Sequence, residues 1–211
     1  MTFLYLVRHG ETDWNLARKI QGSTDIPLND TGRAQAARTG QLLGRREWHA
    51  VVTSPLSRAA ETAAIIAREL GLPAPIVLDA LSERNYGDAE GLTGDELSVR
   101  FPADAPVTGR ESRSDVAARA IPALLSLAEK HPGESLIVVS HGGVIRTVLN
   151  EVGPVDSPHH VSMITNGSVH SFQYVDAGLV LLAFDDPIEV ESVGVGAEDF
   201  PEQNAIEDRE A

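Results

Sequence analysis

The sequence predicts an α/β domain built as a three-layer sandwich, with a mostly parallel central sheet, an antiparallel edge strand and helices on both faces. Three observations predict it. Short uninterrupted apolar runs recur along the chain, as strands covered on both faces require. Segments with helical apolar spacing lie between them, the alternation that a parallel sheet needs to connect its strands. Near the end two further runs meet through a short turn and read as a hairpin.

The elements follow in order. Phe3–Val7 is a buried strand that stops at Arg8. A helix runs from Thr31 to about Leu43, with Asp30 or Thr31 as its cap and Ala34, Ala37 and Leu42 on its apolar side. Ala50–Thr53 is the second strand, and Pro55 to about Leu70 the second helix, carrying Ala59, Ala60, Ala63, Ile66 and Ala67. After the short apolar run Ile76-Val77-Leu78, a third helix extends from Ser114 to about Glu129. Pro122 lies inside it and is expected to bend it or divide it. Ser135–Val139 is a strand followed by a helix from Gly143 to about Glu151. The hairpin joins Ser168–Tyr174 to Leu179–Ala183 through Asp176-Ala177-Gly178.

At 211 residues with 42% hydrophobic content, the chain can bury one substantial core. We expect a single catalytic domain over residues 1–185 and a disordered acidic tail over 186–211. From Asp186 onward nine acids face Arg209 alone, so the tail carries −8 of the net charge of −14 and leaves −6 to the rest. Such an acidic chain repels nucleic acid and anionic membranes, and neither is an expected partner. Any phosphate site must be a local cluster of cations and oriented amides. The absence of cysteine removes disulfides, thiolate nucleophiles and cysteine metal sites. The N-terminal apolar stretch ends at Arg8, too early for a signal peptide or a membrane span, which points to a cytoplasmic location.

Polar residues recur directly after the strands. Arg8-His9 follows the first; Ser54-Pro55-Leu56-Ser57-Arg58 follows the second, with Glu61-Thr62 behind it. Glu83 stands in Leu81-Ser82-Glu83-Arg84-Asn85-Tyr86-Gly87, and Ser140-His141-Gly142-Gly143 follows the strand at 135–139. In a parallel sheet these points share one edge, outside the carboxyl ends of the strands, where ligands bind. Helix N-termini there add donors suited to a phosphate. Arg8-His9 by itself is only a polar turn; its partners give it meaning.

Five ordered motifs carry a resemblance. Arg8-His9-Gly10-Glu11-Thr12-x-Trp14-Asn15 is similar to the signature of the histidine phosphatase superfamily, the phosphoglycerate mutase-like enzymes. The similarity continues through Gln21-Gly22-x-x-Asp25-x-Pro27-Leu28-x-x-x-Gly32 and Ser54-x-Leu56-x-Arg58-Ala59-x-x-Thr62. Glu83-Arg84-x-Tyr86-Gly87-x-x-Glu90-Gly91 and Ser140-His141-Gly142 complete it.

The resemblance implies a phosphoglycerate mutase-like fold and assigns roles that chemistry supports. His9 is the nucleophile, forming a phosphohistidine. Arg8 and Arg58 offer planar cationic forks for phosphoryl oxygens, and His141 donates to the charge that spreads over them. Glu83 is the general acid and then the base, a role that needs a carboxyl partly protonated near neutrality. Asn15, Gln21, Gly22 and Gly142 join Arg8, Arg58 and His141 in binding phosphate or leaving group. Glu90 is either an orienting partner for an active-site arginine or an ordinary solvated carboxylate.

The family holds both mutases and phosphatases. The family's mutases carry a longer insertion after the acid glutamate; the resemblance, with the short stretch from Gly91 to Glu111 here, implies a pocket open to water and hydrolysis of small phosphorylated metabolites, without cofactor or metal. A bisphosphoglycerate-dependent phosphoglycerate mutase is the alternative, since Glu83-Arg84-x-Tyr86-Gly87 is also similar to the mutases. A non-catalytic phospho-ligand binding module would need neither His9 nor Glu83. Adjacent His159-His160 lack a third ligand at metal spacing, and His49, His131 and His170 have no partner pattern. The sequence leaves the choice between monomer and homodimer open.

Overall fold

A computed structural model describes residues 1–103, 105–153 and 162–188 of the chain. Its strands are β1 (Thr2–Arg8), β2 (Ala50–Thr53), β3 (Ile76–Val77), β4 (Ser135–Ser140), β5 (Val169–Val175) and β6 (Gly178–Ala183). Its helices are α1 (Asp13–Leu16), α2 (Asp30–Leu43), α3 (Ser57–Glu69), α4 (Gly94–Arg100), α5 (Arg113–Lys130) and α6 (Gly142–Val152). Single 3-10 turns occupy Asp79–Leu81 and Gly87–Ala89.

The strands form one sheet in the order β3-β2-β4-β1-β5-β6. The first four are mutually parallel; β5 pairs antiparallel with β1 and with β6. The expected hairpin therefore closes one edge, and its reversed strand is β5, one position in from that edge.

Alternation along β1 shows why the sheet has two covered faces. Leu4 and Leu6 join Leu124, Leu136, Val138, Ile145, Val148 and Phe172 in one cluster, under α5 and α6. Tyr5 and Val7 point the other way, into a cluster with Ala59, Ala63, Ile66, Ile137 and Val139, under α3 and the end of α2. Two faces of one strand are buried by helices on opposite sides, which is the predicted sandwich.

The structure moves several local expectations. The cap of α2 is Asn29, not Asp30 or Thr31: its side chain accepts from Gly32 N. Helix α5 runs unbroken through Pro122, starting from a Ser112–Asp115 capping box. Burial of Val116, Ala120, Leu124 and Leu127 on one stripe outweighs the hydrogen bond that Pro122 cannot make to Ala118. Asp186 N donates to Val169 O and Ile188 is buried against the second cluster, so the packed chain reaches at least Ile188 rather than 185. The rest of the expected tail, and His159-His160, lie outside the described residues.

Candidate active site

Because β1, β2, β3 and β4 run parallel, the residues leaving their carboxyl ends meet along one edge. Arg8 ends β1 and His9 follows it; Ser140 ends β4 and His141 caps α6. Ser54 follows β2, and Arg58 stands in the first turn of α3. Beyond β3 the turn at Asp79–Leu81 delivers Glu83. Arg58 and His141 are completely buried, and Arg8 and His9 nearly so.

His9 is oriented through both ring nitrogens. Nδ1 lies 2.7 Å from Gly10 O. A carbonyl only accepts, so Nδ1 carries the proton and Nε2 keeps its lone pair. Arg58 Nε donates to that Nε2 at 3.2 Å. Burial, then the charges of Arg58 and Arg8, hold the imidazole pKa well below its ordinary 6.5. The ring is neutral at pH 7. Its backbone is fixed as well: His9 N donates to Ser140 O and Asn166 Nδ2 donates to His9 O. Gly10 is required beside it, since a Cβ there would stand 2.3 Å from Gly32 O.

Arg58 also donates through Nη1 to Thr24 O (2.9 Å) and through Nη2 to Gly22 O (2.7 Å). Burial lowers its pKa to about 10, so it stays cationic at neutral pH. The loop offering those carbonyls is gathered on Glu90, whose carboxylate accepts from Ser23 N, Ser23 Oγ, Thr24 N, Thr24 Oγ1 and Tyr86 N. Of the two readings of Glu90, the structure favours orientation of an arginine. Asp25 receives Ser57 N and Oγ at the start of α3 and so fixes the same region.

His141 lies 5.1 Å from His9, ring centre to ring centre. Its Nε2 is 2.8 Å from Ser54 Oγ, and its buried Nδ1 has no hydrogen-bond partner among the described residues. Burial first, then Arg58, His9, Arg8 and Arg119, push its pKa well below 6.5. Arg8 Nη1 donates to Ile164 O. Glu83 is half-buried; Oε1 accepts from Arg84 N at 2.8 Å and Oε2 from Gly143 N at 3.1 Å. The first turn of α6 thus holds this carboxyl group.

Of the remaining predicted residues, Gly22 and Gly142 adjoin this group. Gln21 is 2% exposed, and neither atom of its amide has a partner among the described residues. Asn15 uses its side-chain oxygen to cap α1, accepting from Thr12 N and Oγ1. Gly22 has φ +56°, and the group that approaches it closely is Glu90: an added Cβ would lie 2.0 Å from Oε1. Gly142 opens α6 beside Arg8. Asn166 went unnoticed in the sequence because it reaches His9 across 157 positions with no motif around it. Glu111 and Arg119 likewise escaped notice. Thr62, which accepts from Gly10 N and donates to Arg58 O, was visible within the Arg58 motif. Among the described residues no three His, Asp or Glu side chains gather as a metal site.

The family model described as the histidine phosphatase superfamily (branch 1) matches residues 4–187. The uncharacterized phosphatase PhoE of Bacillus subtilis is 39% identical over 176 residues, 83% of this chain and 90% of that protein. A 2,3-bisphosphoglycerate-dependent phosphoglycerate mutase of Gloeobacter violaceus is 32% identical over 178 residues, covering 78% of this chain and 81% of that one. Among solved structures, the mycobacterial glucosyl-3-phosphoglycerate phosphatase complexed with VO3 superimposes with a TM-score of 0.78 at 30% identity, over 87% of this chain and 98% of that one.

Proposed function

The chain belongs to branch 1 of the histidine phosphatase superfamily, and we propose that it is a phosphomonoester phosphatase acting on small phosphorylated metabolites through a phosphohistidine on His9. The observation that carries this reading is the state of His9. A neutral ring, its proton held on Nδ1 by Gly10 O, directs the Nε2 lone pair at Arg58. That is the state a nitrogen nucleophile needs.

The steps follow from the geometry. The Nε2 lone pair attacks phosphorus while Arg8, Arg58 and His141 bind the phosphoryl oxygens. As the N–P bond forms, Arg58 Nε loses its acceptor and turns to an oxygen. The P–O bond to the leaving group breaks, and Glu83, which enters this step as the carboxylic acid, gives that oxygen its proton and is left as the carboxylate. The Glu83 carboxylate then takes a proton from water attacking phosphorus; the P–N bond breaks, Nε2 recovers its lone pair, and inorganic phosphate leaves. Gln21, whose buried amide has no partner among the described residues, is free to bind phosphate or leaving group. Asn15, Gly22 and Gly142 support the same pocket. Among the described residues no helix is long and apolar enough to cross a membrane, and a cytoplasmic location suits such substrates.

The similarity to phosphoglycerate mutases keeps a second reading alive, in which the phosphoryl group returns to a hydroxyl. Between Gly91 and Glu111 the described residues form one short helix, α4, with seven residues, which supports an open pocket and water as acceptor. Screening phosphorylated metabolites for phosphate release, beside phosphoglycerate isomerisation with and without bisphosphoglycerate, tests the choice. A phosphatase releases phosphate in both conditions; a mutase isomerises and depends on the primer.

A further inference from the structure

Glu83 sits on a segment without regular structure, and its position depends on what holds that segment. One side is clear: Ser140 Oγ donates to Leu81 O at 2.9 Å, tying the turn to the end of β4. The other side is held by an ion pair far along the chain. Arg119, on α5, donates through Nε and Nη2 to the two oxygens of Glu111, at 2.7 and 3.0 Å. The same guanidinium donates through Nη1 to Ala80 O at 2.7 Å and through Nη2 to Glu83 O at 3.2 Å.

Glu111 grips the far end of the segment. Its Oε2 accepts from Asn85 N (3.1 Å), its N donates to Asn85 O (2.8 Å), and its carbonyl accepts from Arg84 Nε (2.7 Å). Residues 80, 83, 84 and 85 are thus all bonded to one pair. Both side chains are mostly shielded, at 26% and 20% exposure, so the pair is screened less than a surface ion pair. Neither residue hydrogen-bonds to the Glu83 carboxyl; they grip its backbone on both sides. We propose that the Glu111–Arg119 pair is a positioning device for Glu83, setting where its carboxyl meets the leaving-group oxygen. This rests on the reading of Glu83 as general acid.

A purely structural pair would lower activity on every substrate alike. A pair acting through Glu83 harms substrates whose leaving oxygen needs a proton, and spares those whose leaving group is stable as an anion. The test uses the full chain with Glu111→Gln, Arg119→Lys, Glu83→Gln and the Glu83→Gln/Arg119→Lys double variant. Folding is checked by cooperative melting, and kcat is measured over aryl phosphates of graded leaving-group basicity. Arg119→Lys keeps the charge but lacks the fork that spans Ala80, Glu83 and Glu111.

We expect both single variants of the pair to lose about 10-fold or more on phenyl phosphate and much less on 2,4-dinitrophenyl phosphate, steepening the dependence as Glu83→Gln does. In the Glu83→Gln background Arg119→Lys adds no further loss. Equal losses across the series, or a multiplicative loss in the double variant, overturn the inference while leaving Glu83 in its role. A Glu83→Gln enzyme with no such dependence overturns the general-acid reading, and the inference with it.

Discussion

One hydrogen bond to Gly10 O decides which nitrogen of His9 keeps its lone pair, and one carboxylate decides where Arg58 points. Glu90 holds the two residues, Ser23 and Thr24, that flank and include the carbonyl acceptors of Arg58. A glutamine at position 90 offers one acceptor where five donors converge, and turns an NH2 toward some of them. We expect Glu90→Gln to lower kcat about 10-fold, equivalent to roughly 1.4 kcal/mol. Because the role proposed for Arg58 is on the phosphoryl group, this loss should be the same for activated and unactivated esters, and vanadate affinity should fall in parallel. That uniform profile separates it from the Glu111–Arg119 variants. At this scale the sequence was legible where a residue sat within a motif directly after a strand, as for Arg8, His9, Arg58 and His141. It was silent on Asn166 and on the Glu111–Arg119 pair, whose contacts join segments that share no local pattern.

The elements show the same division. Strands and long helices were readable from apolar periodicity, because burial on the sheet dictates that pattern. The short helices α1 and α4 carry too few apolar residues to show it, although Thr93 and Glu96 spell a capping box at the start of α4. Two local choices have measurable consequences. Asn29→Ala removes the acceptor for Gly32 N and should cost about 1 kcal/mol. In the β5–β6 hairpin, Asp176 and Ala177 both have positive φ, 49° and 61°. An alanine in that conformation is strained by roughly 1–2 kcal/mol, and glycine is not. Ala177→Gly should raise the melting temperature by about 2–4 °C, after the entropic cost of glycine is deducted. An unchanged or lower value would show that the turn bears no strain.

Across the whole molecule, the buried site makes stability depend on pH. His9 and His141 have folded pKa values well below 6.5. Below 6.5 the unfolded chain therefore binds protons that the folded chain refuses, and stability falls as pH drops. Glu90 and Glu111 are lowered too, each by hydrogen bonds that outweigh burial. Their contribution is present above 4.5 and is lost as pH falls through their folded values. Melting temperature should decline between pH 7 and 5 and more steeply below 4.5, with the upper limb flattened in a His9→Gln/His141→Gln variant. A flat profile from pH 7 to 5 would contradict the buried neutral histidines.

The central claim concerns His9, and a phosphoryl-transfer intermediate can be caught directly. The enzyme is mixed with a 32P-labelled phosphomonoester, quenched in alkali, where phosphohistidine survives, and mapped by peptide. The account predicts label on the peptide containing His9, and neither label nor turnover of p-nitrophenyl phosphate in a folded His9→Ala variant. Label on another residue, or sustained turnover by His9→Ala, would contradict it.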